Sequence, residues 1–335
     1  MRVAVTGASG FVGGAVCRAA RAEGWRVHAF GRRGRVEPEH VGGAPYTPWD
    51  LLGERPGLPE VDAVVHCAGS VTDWGPPREI WAANVTGTRN AAEAFPGARF
   101  VHVSTASVYD PFRPTVLARE DEAPVARYVN AYGASKAEAE RAAARAAPGR
   151  AVVLRPHAVY GPGDTTLLPR VLGAVRGRRL LAVGDGRQRI SLTSVGNLAR
   201  ACLLAATAPL GEQGAAHCGG HCGGHCGGHC ADHGAGRRVF NVTDAEPVVL
   251  DDALRAILGE RGIDAEPYYL PPKLVEPVAA AAETAFRLLR RASPPRLTRY
   301  AAGHLAVERT LDITAARRVL GYRPEATSFA GAAGW

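Results

Sequence analysis

The chain has 335 residues, 46% of them hydrophobic and 21% charged, a balance that suits one large or two smaller packed units. No apolar run reaches the ~18 residues of a bilayer-spanning helix, and Met1-Arg2 leads straight into Val3-Ala4-Val5 without the pattern of a secretory leader, so a cytoplasmic protein with no integral membrane segment is expected. The formal charge of +8 rests on 38 arginines and two lysines spread along the whole chain, which reads as a solvated surface and predicts no nucleic-acid partner.

Residues 2–6 form a short β-branched run that breaks into glycines and then into an alanine-rich helical stretch, Ala15 to Glu23. Strands are expected at Val27 to Phe30, Val61 to Cys67, Phe100 to Ser104 and Ala151 to Leu154, with helical stretches around Trp81–Phe95 and Tyr128–Ala147 between them. Strands alternating with helices imply right-handed crossovers and a parallel, doubly wound α/β sheet covered on both faces. Beyond about residue 160 the texture is richer in Pro and Gly. Helices at Leu167–Arg176, Val195–Ala206 and Asp251–Leu258 and a strand at Val239–Val242 suggest a smaller second lobe. An apolar helix, Leu274 to Leu289, ends in Arg287, Arg290 and Arg291 and is followed by another helical stretch; it reads either as a mobile lid over an apolar substrate or as an ordinary packed surface helix.

The first strand ends in Thr6-Gly7-Ala8-Ser9-Gly10-Phe11-Val12-Gly13. Glycines at 7, 10 and 13, between a strand and an amphipathic helix, permit a tight turn, close backbone approach to a pyrophosphate and tight helix–sheet packing. The helix start then offers its amides and dipole to the phosphates. The second strand runs into Gly31-Arg32-Arg33, where a site selective for NAD carries a carboxylate on the ribose 2′-hydroxyl. Guanidinium groups pair instead with a 2′-phosphate, so NADP(H) is expected, with NAD(H) as the alternative. Asp50 and Leu51, after the presumed third strand, are placed to meet the adenine edge.

Tyr132 and Lys136 stand four residues apart, on one face of a helix. A free phenol with a pKa near ~10 is a poor acid–base at neutral pH, and a neighbouring ammonium is expected to bring it toward the working range. Lys136 is one of only two lysines in an arginine chain, the other being Lys273; a compact ammonium at this spacing does what arginine cannot. Upstream, Val101-His102-Val103-Ser104-Thr105 is a strand ending in two hydroxyls at the ligand edge of a parallel sheet. Thr105 is the candidate to hydrogen-bond the substrate oxygen, with Ser104 as the alternate.

These residues carry a resemblance. TGASGFVG (6–13), HCAG (66–69), NVTGTRN (84–90), VSTASVY (103–109), YGASK (132–136) and LRPHAVYGPGD (154–164) occur in the order of the extended short-chain dehydrogenase/reductases, the NAD-dependent epimerase/dehydratase family. GDGRQRISLTSVGN (184–197) and LGYRP (320–324) extend the match. The resemblance implies a Rossmann sheet of about seven strands with a smaller mixed carboxy-terminal substrate lobe. The cofactor-binding core would be residues 1–160, with contributions from about 180–200 and 239–243, and the substrate lobe mainly 161–335. It implies catalytic roles for Tyr132, Lys136 and Thr105, with cofactor contacts at Gly7, Ser9, Gly10, Phe11, Val12 and Gly13, at Arg32, Arg33, Asp50 and Leu51, and at Ala68, Gly69, Ser104, Tyr132, Lys136 and Pro156. It also implies a homodimer through the helices at 81–95 and 128–147. Nucleotide-sugar members of the family usually have an Arg-Asp pair where this chain has Ile190 and Ser191, and Arg189 is displaced by one residue. Loss of that phosphate partner points to the 3β-hydroxysteroid dehydrogenase-like branch and to a hydrophobic substrate, sterol-like or a long-chain β-hydroxy/β-keto compound.

Seven cysteines fall into two groups. Cys17, Cys67 and Cys202 sit in apolar contexts with no disulfide framework. The others belong to His217-Cys218-Gly219-Gly220, repeated at 221 and 225 and ending at His229-Cys230, with His233 beyond. This tract, 217–233, reads as a slippage-type loop insertion or as an opportunistic metal binder, and no catalytic metal is assigned to it.

Overall fold

Alternation of side chains along the first strand sets the architecture. In β1 (Arg2–Thr6), Val3 and Val5 face one layer of helices and Ala4 faces the other. The computed structural model describes residues 1–111, 113–209, 238–289, 291, 293–295 and 298–335. The histidine–cysteine tract and Arg290 lie outside them.

β2 (Arg26–Gly31), β3 (Tyr46–Pro48), β4 (Ala63–His66), β5 (Arg99–Val103), β7 (Ala151–Pro156) and the strand Arg238–Val242 join β1 in a seven-stranded sheet. All of its pairings are parallel, in the order Arg238–Val242, β7, β5, β4, β1, β2, β3. The order in which successive strands are added reverses between β1 and β4, which opens a crevice at their carboxyl ends. One face is covered by α1 (Phe11–Ala22) and Val195–Thr207, the other by α3 (Gly87–Ala94) and α4 (Ala131–Ala146).

The expected single helix at 81–95 starts earlier and is in two parts. α2 (Pro77–Trp81) widens into a π turn at Ala82–Thr86 before α3. The wide turn buries Asn84, whose carbonyl accepts from the Thr88 hydroxyl at 2.6 Å. The expected helix Leu167–Arg176 stops at Gly173; Val175–Arg176 then pairs antiparallel with Arg179–Leu180 around Gly177, whose φ of 55° suits a turn. The strand Arg179–Val183 pairs with Glu266–Leu270 in a separate small sheet, so within 180–200 it is the helix Val195–Thr207 that packs on the main sheet. β6 (Thr115–Ala118), which no sequence pattern announced, pairs with Arg309–Leu311 and ties the two halves of the chain together.

Candidate active site

The glycine turn fits a dinucleotide. Gly7 has φ +72°, and a Cβ there would lie 2.5 Å from the Ala68 nitrogen; one on Gly13 would lie 2.2 Å from the Gly7 carbonyl. The turn, α1 and the end of β4 are therefore in backbone contact, as a cradle for a pyrophosphate requires. α1 has neither a side-chain cap nor an acidic residue in its first turn, so its positive end is left for an anion. Ser9, Phe11 and Val12 are half-buried there and Gly10 is exposed. His40, which sequence reasoning passed over, braces the turn from beneath: its Nε2 lies 3.1 Å from the Ala8 carbonyl and 3.2 Å from that of Gly10.

At the end of β2, a Cβ on Gly31 would meet Ser9 Oγ at 2.7 Å and the Tyr46 hydroxyl at 2.8 Å. A side chain at this position would have to displace the Ser9 and Tyr46 hydroxyls, and no carboxylate is present there. Arg32 and Arg33 follow it in solvent, and the Tyr46 hydroxyl donates to the Arg33 carbonyl at 2.7 Å. Asp50 is exposed, its Oδ1 accepting from the Leu52 amide, and Leu51 is half-buried with its carbonyl held by Asn90. Gly69 lies at the mouth of the crevice, and Pro156 closes the buried end of β7.

Beyond β5 the chain makes a 3-10 turn, Ala106–Val108, capped by Thr105, whose Oγ1 accepts from the Ser107 amide at 3.1 Å. The same hydroxyl faces the Tyr132 phenol, favouring its charged form, and pairs with Ser107 Oγ at 3.1 Å. Tyr132 stands in the first turn of α4, which starts at Asn130, the residue whose side chain caps the Gly133 amide at 3.0 Å. One turn on, Lys136 is buried and its Nζ donates to the Val103 carbonyl at 2.7 Å. Strand end and helix start thus bring Thr105, Tyr132 and Lys136 to one place.

The electrostatics correct one expectation. Burial raises the Tyr132 pKa above its ordinary value; the Thr105 hydrogen bond and the charge of Arg170 oppose this, and Lys136 is not among the influences. The phenol is therefore held protonated. Burial also brings Lys136 down to about 8, against the nearby Glu140, which favours the charged form.

Glu140 is a further residue that sequence reading missed. It continues the stripe Tyr132–Lys136–Glu140 along α4 at four-residue spacing. Fully buried, it accepts from Arg155 Nε at 2.9 Å and Nη2 at 2.8 Å and from the Ser104 hydroxyl at 2.6 Å. Ser104 thus donates its hydroxyl proton to Glu140, while Thr105 turns toward Tyr132; Ser104 keeps its acceptor lone pairs for the cofactor contact expected of it. Asn84 fastens the loop after β4: its Oδ1 accepts from the Ser70 amide at 2.7 Å and its Nδ2 donates to Ser135 Oγ at 2.9 Å. Beneath the site, Thr6 donates to His66 Nδ1 at 2.7 Å, His66 Nε2 donates to Thr88 at 2.9 Å, and Thr88 passes its proton to Asn84. That chain of donors fixes His66 as a neutral tautomer, in line with burial depressing its pKa to about 3.

A carboxy-terminal cover closes the site. The helices Pro272–Leu288 and Arg299–Ala306 lie over the loop that follows β4. Trp74 meets Phe286 edge-on at 6.5 Å and donates from Nε1 to the Arg291 carbonyl at 3.2 Å. Asp73 takes Arg170 at 2.9 Å and the Thr298 hydroxyl at 2.7 Å. Tyr300 stands edge-on to Tyr132, with centroids 6.4 Å apart, and shares a hydrogen bond with the Ser107 hydroxyl.

Such a fold and site define a nicotinamide-dependent oxidoreductase. The description "NAD dependent epimerase/dehydratase family" matches residues 3–217, and the chain belongs to that family, among the extended short-chain dehydrogenase/reductases. It is 32% identical to a 2-alkyl-3-oxoalkanoate reductase of Stenotrophomonas maltophilia over 97% of this chain and 95% of that one. It is 31% identical to a 4-hydroxy-2-methyl-3-oxo-4-farnesyl-3,4-dihydroquinoline-1-oxide ketoreductase of Stigmatella aurantiaca, over 98% and 93%. Its fold matches UDP-glucuronic acid 4-epimerase from Bacillus cereus, solved with NAD, with a TM-score of 0.68 at 20% identity over 98% and 94% of the two chains. Among the described residues no cluster of three or more His, Cys, Asp or Glu could hold a metal, and no helix is long and apolar enough to cross a membrane.

Proposed function

We propose that this enzyme interconverts a ketone and a secondary alcohol on a hydrophobic 3-oxo substrate of the 2-alkyl-3-oxoalkanoate kind, with NADP(H) preferred. The observation that carries this reading is Tyr132 facing the Thr105 hydroxyl with Lys136 one turn away, at the carboxyl edge of the sheet and edge-on to Tyr300 of the cover. The bound nicotinamide supplies or accepts the hydride. Tyr132, kept protonated by burial, gives its proton to the ketone oxygen, and Thr105 orients that oxygen through its hydroxyl. Lys136 offers compact, rotatable donors to the ribose hydroxyls of the cofactor and places its charge at the start of α4. Trp74, buried against Phe286 of the cover, would help to shield this end of the site from water. Residues 1–160 with Val195–Thr207 and Arg238–Val242 hold the cofactor in this division of labour, and residues 161–335 otherwise select the substrate.

The NADP(H) preference rests on Gly31, which offers no carboxylate at the end of the second strand, and on the exposed Arg32 and Arg33 beyond it. The nucleotide-sugar reading, raised by the solved structures that share the fold, is disfavoured at Ile190. That residue is buried among Leu192, Leu250 and Leu254, while Arg189 turns outward to the Pro247 carbonyl at 3.3 Å. A homodimer through α3 and α4 is part of the same reading, by likeness to the family; light scattering at twice the chain mass is the expected result.

The test is consumption of NADPH and NADH with a 2-alkyl-3-oxoalkanoate and, separately, with UDP-sugars. Turnover of the oxo acid with a preference for NADPH is expected. The double variant Arg32→Ala/Arg33→Ala is expected to weaken NADPH binding about tenfold (~1.4 kcal/mol) while leaving NADH binding alone. Conversion of UDP-sugars without net cofactor consumption would overturn the proposal.

A further inference from the structure

The hydroxyls at the site outnumber those one ketone requires. Thr105 and Tyr132 suffice to hold a single carbonyl oxygen, yet Ser107 lies 3.1 Å from Thr105, oxygen to oxygen, and Tyr300 lies on Ser107. The result is a row of four hydroxyls, Tyr132–Thr105–Ser107–Tyr300, that starts on α4, crosses the turn after β5 and ends on the covering helix Arg299–Ala306. The Thr105–Ser107 spacing is that of two hydrogen-bonded oxygens. It is also close to the separation of the two oxygens of a β-oxo acid, whose ketone and acid carbons are separated by one carbon.

We infer that Ser107 and Tyr300 form a binding subsite for the acid oxygen of a 3-oxo acid, beside the Thr105–Tyr132 pair that takes its ketone oxygen. This rests on the ketone reduction proposed above and deepens it: the substrate is recognised by two oxygens in a fixed 1,3 relation. Burial, Tyr132 and Asp73 raise the Tyr300 phenol pKa against Ser107 and Arg170, and Arg170 is itself paired with Asp73 at 2.9 Å. Tyr300 therefore stays protonated, a hydrogen-bond donor for an acid oxygen. Arg309 is 4% exposed; its terminal nitrogens are committed to the carbonyls of Asp110, Pro111 and Arg113, while its Nε has no hydrogen-bond partner. Ser107 and Tyr300 can each donate to an acid oxygen when they release one another. A substrate lacking that oxygen gains neither of these hydrogen bonds, so discrimination follows from the bonds that the acid oxygen adds. Because Tyr300 belongs to the cover and Ser107 to the sheet edge, the acid oxygen would also couple closure of the cover to seating of the ketone.

The rival account is that Tyr300 only tethers its helix. A tether acts on every substrate alike, whereas an acid-oxygen subsite acts on one kind. The experiment measures kcat/KM for a 2-alkyl-3-oxoalkanoate and for a monoketone of equal carbon count, in the parent enzyme, in Tyr300→Phe and in Ser107→Ala. Tyr300→Phe keeps the ring and so the edge contact with Tyr132. The parent is expected to prefer the oxo acid, and each variant to lower that preference at least about tenfold. A preference that stays constant while both substrates slow together, or a parent with no preference for the acid, overturns the subsite and leaves the ketone reduction standing. A parent that reduces neither substrate overturns the ketone reduction itself, and the subsite with it.

Discussion

The seven-stranded sheet and the carboxy-terminal cover meet at Tyr132, and they are held together on different physical terms. In the sheet, Val3, Val5, Val64 and Val101 are fully buried between two layers of helices, and strand register fixes every side chain. In the cover, the helix Pro272–Leu288 buries only Val275 and Ala279 and leaves Leu274, Val278 and Leu288 in solvent. A few side chains tie it to the loop after β4: Trp74 on Phe286, and Asp73 on Thr298. The difference separates the two demands on the enzyme. In the proposed reading, the groups that act on the ketone stand on the rigid part, and the lightly held part covers the substrate.

The rigid side breaks hardest at Glu140. Glu140→Ala leaves Arg155 buried without its carboxylate, and a loss of about 3–5 kcal/mol in denaturant unfolding is expected. Activity should suffer along with it, because Ser104 is released from Glu140 directly beside Thr105.

Acid is expected to act on the same side. Burial holds His66 down to about 3 and His102 well below its ordinary range, whereas both titrate near ~6.5 in the unfolded chain. The unfolded state then binds protons that the folded state refuses. Stability is full above pH ~6.5 and falls by about 1.4 kcal/mol per pH unit for each histidine as the pH drops toward the folded values. Lys136 works in the alkaline window. Between about 8 and ~10.5 the unfolded chain keeps a proton that the folded chain gives up, so stability rises there with pH. Thermal unfolding from pH 5 to 10, compared with Lys136→Met, checks both signs; the rise above pH 8 should vanish in the variant.

The cover should yield most gently. Phe286→Ala removes the edge contact with Trp74, and a stability loss of only about 1 kcal/mol is expected, together with a several-fold rise in KM for the hydrophobic substrate. A variant with KM unchanged and stability lowered by several kcal/mol would show that the cover is core structure and would erase the distinction drawn here.

Legibility follows the same division. The strands of the main sheet declared themselves as apolar runs, and the glycine turn, Tyr132 and Lys136 announced their chemistry by spacing. Glu140 was hidden in AEAE, where a glutamate on an alanine-rich helix reads as solvated, because the partner that buries it, Arg155, lies on another element. Ser107 and Tyr300 are 193 residues apart and meet only through the cover. β6 carried no periodic signal, since Leu117 takes a positive φ of 48° in its middle. The break at Gly173 was obscured by apolar residues that suit helix and strand equally. The lowered Tyr132 pKa expected from Lys136 failed because sequence spacing places two groups on one face without stating how far burial opposes the charge.

Single-turnover reduction of a 2-alkyl-3-oxoalkanoate by Tyr132→Phe, with cofactor binding measured in parallel, tests the central claim most directly. The account predicts a rate about 10²–10⁴-fold below that of the parent with cofactor affinity retained. A Tyr132→Phe enzyme that reduces the ketone as fast as the parent would contradict it.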